Sequence, residues 1–163
     1  MTRNDVGAAA RQLVPPKKQL SDLYLEDETA WLELMSQLVK ERRFDQMDVK
    51  NLSEYLNDMA IRDKREVLSR LATLMAHRLK WDHQPNRRSR SWELTIMVQR
   101  LELEDLLESR TLRNHAQIVL PKAYARAILL AMKQTSLGRN RFPVDCPYTL
   151  DDVLSKEWKK QDD

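Results

Sequence analysis

The sequence predicts an all-α fold, a single-domain multi-helix bundle of five to seven helices with no sheet. Three observations carry that expectation. Apolar residues recur at helical spacing through most of the chain, and no stretch alternates apolar and polar over the length of a strand. Only two glycines, Gly7 and Gly138, occur in 163 residues. With 42% hydrophobic and 33% charged residues, the chain has the composition of a folded protein with its own core. Its length suits one domain. The expected division is a flexible basic tail over residues 1–19, a helical domain over 20–158, and a short C-terminal tail over 159–163.

The elements follow in order. Asp27 is placed to cap the first helix of the domain, whose buried face is Trp31, Leu34, Met35, Leu38 and Val39. Asp48 caps a second, with Val49, Leu52, Leu56 and Met59. Asp63, with Glu66 three residues on, has the pattern of a capping box and predicts a third helix. That helix carries Val67, Leu68, Leu71, Leu74, Met75 and Leu79, so residues 49–82 read as two helices. Pro85 stops the run, because the residue before a proline avoids helical geometry. A short connection over residues 84–89 returns the chain antiparallel. The next helix, Ser89 to Glu108, is apolar on two sides. Trp92, Ile96, Leu103 and Leu107 line one side, and Leu94, Met97 and Leu101 the other. Such a helix sits centrally or faces a partner chain. Glu102, Glu104, Asp105 and Glu108 gather at its C-terminal end, where they oppose the helix dipole. Leu112, Ala116 and Val119 predict a short helix. Pro121 opens a longer one through Tyr124, Ala127, Ile128 and Ala131. Gly138 then reads as its left-handed cap. After an irregular stretch from Phe142 to Tyr148, Thr149 and Asp152 cap a last short helix through Leu150, Val153 and Leu154.

Composition removes several function classes. Two isolated glycines cannot build a phosphate-cradling loop, which needs several in one turn. The lone Cys146 excludes an internal disulfide and a cysteine-based zinc cage. It reads as a partly buried structural thiol, and an odd cysteine fits a reducing compartment. No run approaches a membrane span, so a cytoplasmic soluble protein is expected. The net charge of +3 invites a nucleic-acid reading until it is located. Residues 1–18 hold Arg3, Arg11, Lys17 and Lys18 against Asp5, so residues 19–163 carry 24 charges of each sign. The body is neutral.

Chemistry concentrates in one segment, His77 to Trp92, where His77, Lys80, Trp81, Arg87, Arg88, Arg90 and Trp92 form the candidate functional surface. Arginines interleaved with indoles suit phosphates or unstacked bases. The competing reading is structural, with the tryptophans in the core and the arginines ion-paired, for example to Glu102–Glu108. No metal is expected. His77 and His83 do not share a helix face, and no His pair at i,i+4 and no Glu-x-x-His pair occurs. Arg70 and His77, Arg78 and His83, and Arg110 and His115 are each separated by four to six residues. That spacing is similar to the arginine–histidine pair of the all-α ribonucleases of the HEPN superfamily. All three histidines qualify in an arginine-rich chain, so the spacing discriminates poorly, and no catalytic residue is assigned.

The order of motifs resembles a known family. Its opening is Leu23-Tyr24 with Ala30-Trp31-Leu32, followed by the stretch from Arg42 to Leu52. The centre is His77-Arg78-Leu79-Lys80-Trp81, Gln84-Pro85 and the stretch from Arg87 to Trp92. The close is Phe142-Pro143 and Cys146-Pro147-Tyr148-Thr149-Leu150. Across roughly residues 20–155 the chain resembles the bacterial domain-of-unknown-function family numbered 29. The resemblance implies an all-helical, single-domain bacterial protein and no particular activity, cofactor or catalytic residue. The expected function is therefore non-enzymatic and cofactor-free, exercised through protein partners or self-association. The alternative is nucleic-acid binding or RNA cleavage centred on residues 78–92.

Overall fold

A computed structural model describes residues 16–156, with six α-helices and no strand among them. Residues 1–15 and 157–163, which include most of the expected N-terminal tail and all of the C-terminal one, lie outside the described residues. The helices are α1 (Lys17–Glu26), α2 (Glu28–Lys40), α3 (Val49–His83), α4 (Arg90–Leu106), α5 (Arg110–Thr135) and α6 (Leu150–Leu154). The chain forms two compact units, one ending at Met59 and the other beginning at Ala60, and α3 passes from the first into the second.

The first unit packs α1, α2 and the start of α3 around Leu20, Trp31, Met35, Leu38 and Met47. α1 begins at Lys17, inside the stretch read as tail, because Pro16 sets the turn and Leu20 is wholly buried. Asp27 caps α2 as its position predicts, accepting from the Ala30 N–H at 3.0 Å. Trp31 lies between two aromatic rings, 4.7 Å from Tyr24 and 6.0 Å from Tyr55. Asp48 accepts from the Asn51 N–H at 3.4 Å and opens α3.

Two helix boundaries differ from expectation. Residues 49–83 form one helix of 35 residues, not two. A capping box works only where the chain leaves helical geometry, and no glycine or proline lies between Val49 and His83. Glu66 instead holds Arg70 one turn on, at 2.8 Å. Likewise Arg110–Thr135 is one helix with Pro121 inside it. A proline there forfeits one backbone hydrogen bond. The buried stripe Ala116, Leu120, Ala123, Tyr124, Ala127, Ile128 and Ala131 is continuous across it, and packing outweighs the break. The end of α5 also differs. Ser136, not Gly138, takes the left-handed cap with φ of 61°, its N–H donating to the Met132 carbonyl at 3.0 Å. Gly138 is extended, and its missing Cβ leaves room for the Asn140 side chain.

The second unit places the long part of α3 against α4 and α5. Its core joins Leu71, Leu74, Met75 and Leu79 to Ile96, Leu103 and Leu107 and to the α5 stripe. Phe142, Tyr148, Leu150 and Val153 complete that core from the C-terminal segment. Thr149 and Asp152 form the expected capping box of α6.

Candidate functional site

The end of α3 turns its charged residues inward. Arg78 and Lys80 are only 5% and 4% exposed, an unusual depth for such side chains. Their neighbours explain it. The Arg78 guanidinium lies 4.3 Å from the centre of the Tyr148 ring and donates to the Asp152 carbonyl at 2.7 Å. Asp82, one turn on, stands 3.9 Å from its Nε and accepts from the Tyr148 hydroxyl at 3.4 Å. One arginine thus ties α3 to the ring and the backbone of the C-terminal segment. Lys80 donates to the Gln134 side chain at 2.7 Å, with the Trp92 ring 4.7 Å away. Arg88 covers the Trp81 indole at 4.8 Å and donates to the Trp81 carbonyl at 3.0 Å. That contact closes the turn between α3 and α4.

The same segment is fastened from α5 and from the turn that follows it. The Tyr124 hydroxyl donates to the Pro143 carbonyl at 3.0 Å, and Arg139 donates to the carbonyls of Phe142, Pro143 and Val144. His83 meets the Phe142 ring edge-on at 5.1 Å. Irregular backbone must find partners for its polar groups, and these side chains supply them.

Titration follows burial. Desolvation pushes the Tyr124 hydroxyl up to about 12, and pushes Tyr148 up as well, with the Asp82 carboxylate reinforcing it. Burial raises Asp82 despite the nearby Arg78, and lowers Lys80. The Cys146 thiol is raised by burial and donates to the Tyr148 carbonyl at 3.5 Å, so it lacks the lowered pKa of an activated thiolate. Burial lowers His77, whose Nδ1 lies 2.9 Å from the Thr73 carbonyl and so carries the proton there. Among the described residues, no group of three or more His, Cys, Asp and Glu side chains could hold a metal ion.

The structure thus divides the sequence-predicted surface. Lys80, Trp81, Arg88 and Trp92 come together in packed contacts, and His77 points along its own helix. Arg87 and Arg90 remain exposed. Among the described residues, the acidic end of α4 makes its ion pairs elsewhere. Glu102 instead meets Arg70 at 3.1 Å, and Glu104 meets Arg100 one turn before it at 3.7 Å. In two of the three arginine–histidine pairs the arginine is occupied: Arg70 by two carboxylates, Arg78 by Tyr148 and Asp152.

Two features escaped the sequence reading. Open hollows of about 330 and 510 Å³ share Ser69 and Thr73 and are lined by Arg62, Arg65, Arg126 and Lys133 among others. Their signal is a helical stripe, Arg62, Arg65, Ser69 and Thr73, on the exposed side of α3. The second is Val98, which widens the outer face of α4. Leu94, Met97, Val98 and Leu101 are each more than 40% exposed, opposite the buried Ile96, Leu103 and Leu107.

These contacts define an all-helical protein whose basic and aromatic cluster fastens its own C-terminal segment and whose α4 carries an uncovered apolar face. The family model described as "Domain of unknown function DUF29" matches residues 23–159, and the chain belongs to that family. Comparison with curated proteins gives no match, and neither does comparison with solved structures. Among the described residues, no helix is long and apolar enough to cross a membrane.

Proposed function

We propose that this protein is a non-catalytic helical module that works through protein contacts, with the outer face of α4 as its contact surface. One observation carries the reading: Leu94, Met97, Val98 and Leu101 form a contiguous apolar stripe on the side of α4 that faces away from its core. Apolar surface grouped in this way, unlike scattered single residues, marks an interaction site. The basic segment next to it supports the same reading. Arg78 and Lys80 are buried against rings and internal acceptors, and Arg88 stacks on Trp81, so these three offer little free charge to a phosphate backbone. Site-specific photo-cross-linking from position 97 in cells is the test. Protein adducts that disappear with Leu101→Glu are expected, and the absence of any protein adduct sinks the proposal. A monomer that bound RNA tightly, with the steep salt dependence of phosphate contacts, would replace it with the nucleic-acid reading.

A further inference from the structure

We infer that the occupant of this face is a second copy of the same chain, docked antiparallel through α4 with the twofold axis between Met97 and Val98. The inference rests on the contact-surface reading above and deepens it. Its basis is a symmetry in the order of the residues. Leu94 and Leu101 lie at equal distances on either side of the Met97–Val98 midpoint. So do Arg90 and Asp105. At 3.6 residues per turn, Arg90 and Asp105 extend the stripe of Leu94, Met97, Val98 and Leu101 at its two ends, on the same side of the helix.

A twofold axis at that midpoint, perpendicular to the helix, sets each residue against its counterpart in the other copy. Leu94 meets the partner's Leu101, and Met97 meets the partner's Val98. Arg90 then faces the partner's Asp105. The pair recurs on the far side of the axis, so two opposite-charge pairs bracket an apolar centre. This is the isologous contact of a closed dimer, one patch complementary to itself. A parallel pairing would set Arg90 against Arg90 and Asp105 against Asp105, so the charges select the antiparallel one. Both charged residues are exposed, and neither forms an ion pair among the described residues. Their charge is thus available to a partner. Asp105 at the C-terminal end of α4, unfavourable for the helix alone, gains a partner in this arrangement.

The contact is small. A standard interface engages roughly 20–30 residues on each side, so a single helix face predicts a reversible dimer of the weak, transient class. Sedimentation equilibrium of the full chain over about 5–500 µM is the suitable measurement for that class. A monomer–dimer equilibrium is expected, and Leu101→Glu abolishes it. The decisive arm uses two charge-reversed variants, R90E and D105R. Each alone turns both pairs repulsive and raises the dimer dissociation constant by about three- to tenfold. Mixed together, they restore every pair, and a heterodimer at least as tight as the wild-type homodimer forms. All these positions are exposed, so unchanged circular dichroism and melting serve as the folding control. A purified chain that stays monomeric throughout, a dimer indifferent to Leu101→Glu, or a mixture without rescue overturns the inference. In the first case, cross-links from position 97 to a different protein leave the contact-surface reading standing. Loss of those cross-links as well removes both.

Discussion

Replacing Arg78 by alanine tests the account of the basic segment most directly. The change removes a charge-assisted hydrogen bond of 2.7 Å to the Asp152 carbonyl, worth about 1.5–3 kcal/mol. It also removes a desolvated stack on Tyr148, worth about 2 kcal/mol in such surroundings. Asp82 loses its nearest cation, but water reaches its carboxylate. The two contributions overlap, so the expected loss is about 3 kcal/mol. For a chain of this length that lowers the melting temperature by roughly 10 °C. Arg78→Lys keeps the charge but lacks the planar fork, and should fall between. Hydrogen exchange supplies the spatial test: amides of residues 142–154 should lose protection before those in the middle of α5. A loss below about 1 kcal/mol, with exchange in that segment unchanged, would refute the claim that Arg78 is a fastening.

Three further outcomes follow from other parts of the structure. Burial lowers His77, so the unfolded chain takes up a proton that the folded chain resists, and stability present above the ordinary histidine value of 6.5 is lost as pH falls below it. His77→Gln should therefore melt with less difference between about pH 7.5 and about pH 5.5 than the wild type, and an identical pH profile would contradict this. Ser136 holds a φ of 61°, where glycine has no steric cost, so Ser136→Gly should stabilise by about 0.5–1 kcal/mol in denaturant unfolding. Trp31 is wholly buried between two tyrosines, and Trp31→Ala should cost about 3–5 kcal/mol, read as an earlier thermal transition.

The all-helical class was legible because helix periodicity needs only the order of apolar residues, and the caps at Asp27, Asp48 and Thr149 lie where side-chain oxygens precede such runs. Continuity was harder. Asp63 with Glu66 looks like a start, and Pro121 looks like one too, yet both sit inside helices. Local signals set what a helix end would look like, while burial of a continuous stripe decides whether the helix ends at all. The same limit applied to the site. The sequence placed arginines beside indoles correctly but could not say that Tyr148, 70 residues after Arg78, would supply the ring. The two-sided character of α4 was visible, because residues on opposite faces of one helix are separable by spacing alone.

The stacking of Tyr148 on Arg78 also bears on how the protein is made. Synthesis runs from the N-terminus, so Arg78 is in place long before the residues that cover it. Until Tyr148 and Val153 arrive, the second unit has a charged end to α3 and an uncovered patch of core. A chain cut short before residue 148 therefore stays open at that point, with apolar surface available to chaperones and proteases. Tyr148, Leu150 and Val153 thereby complete a core that the earlier helices leave open.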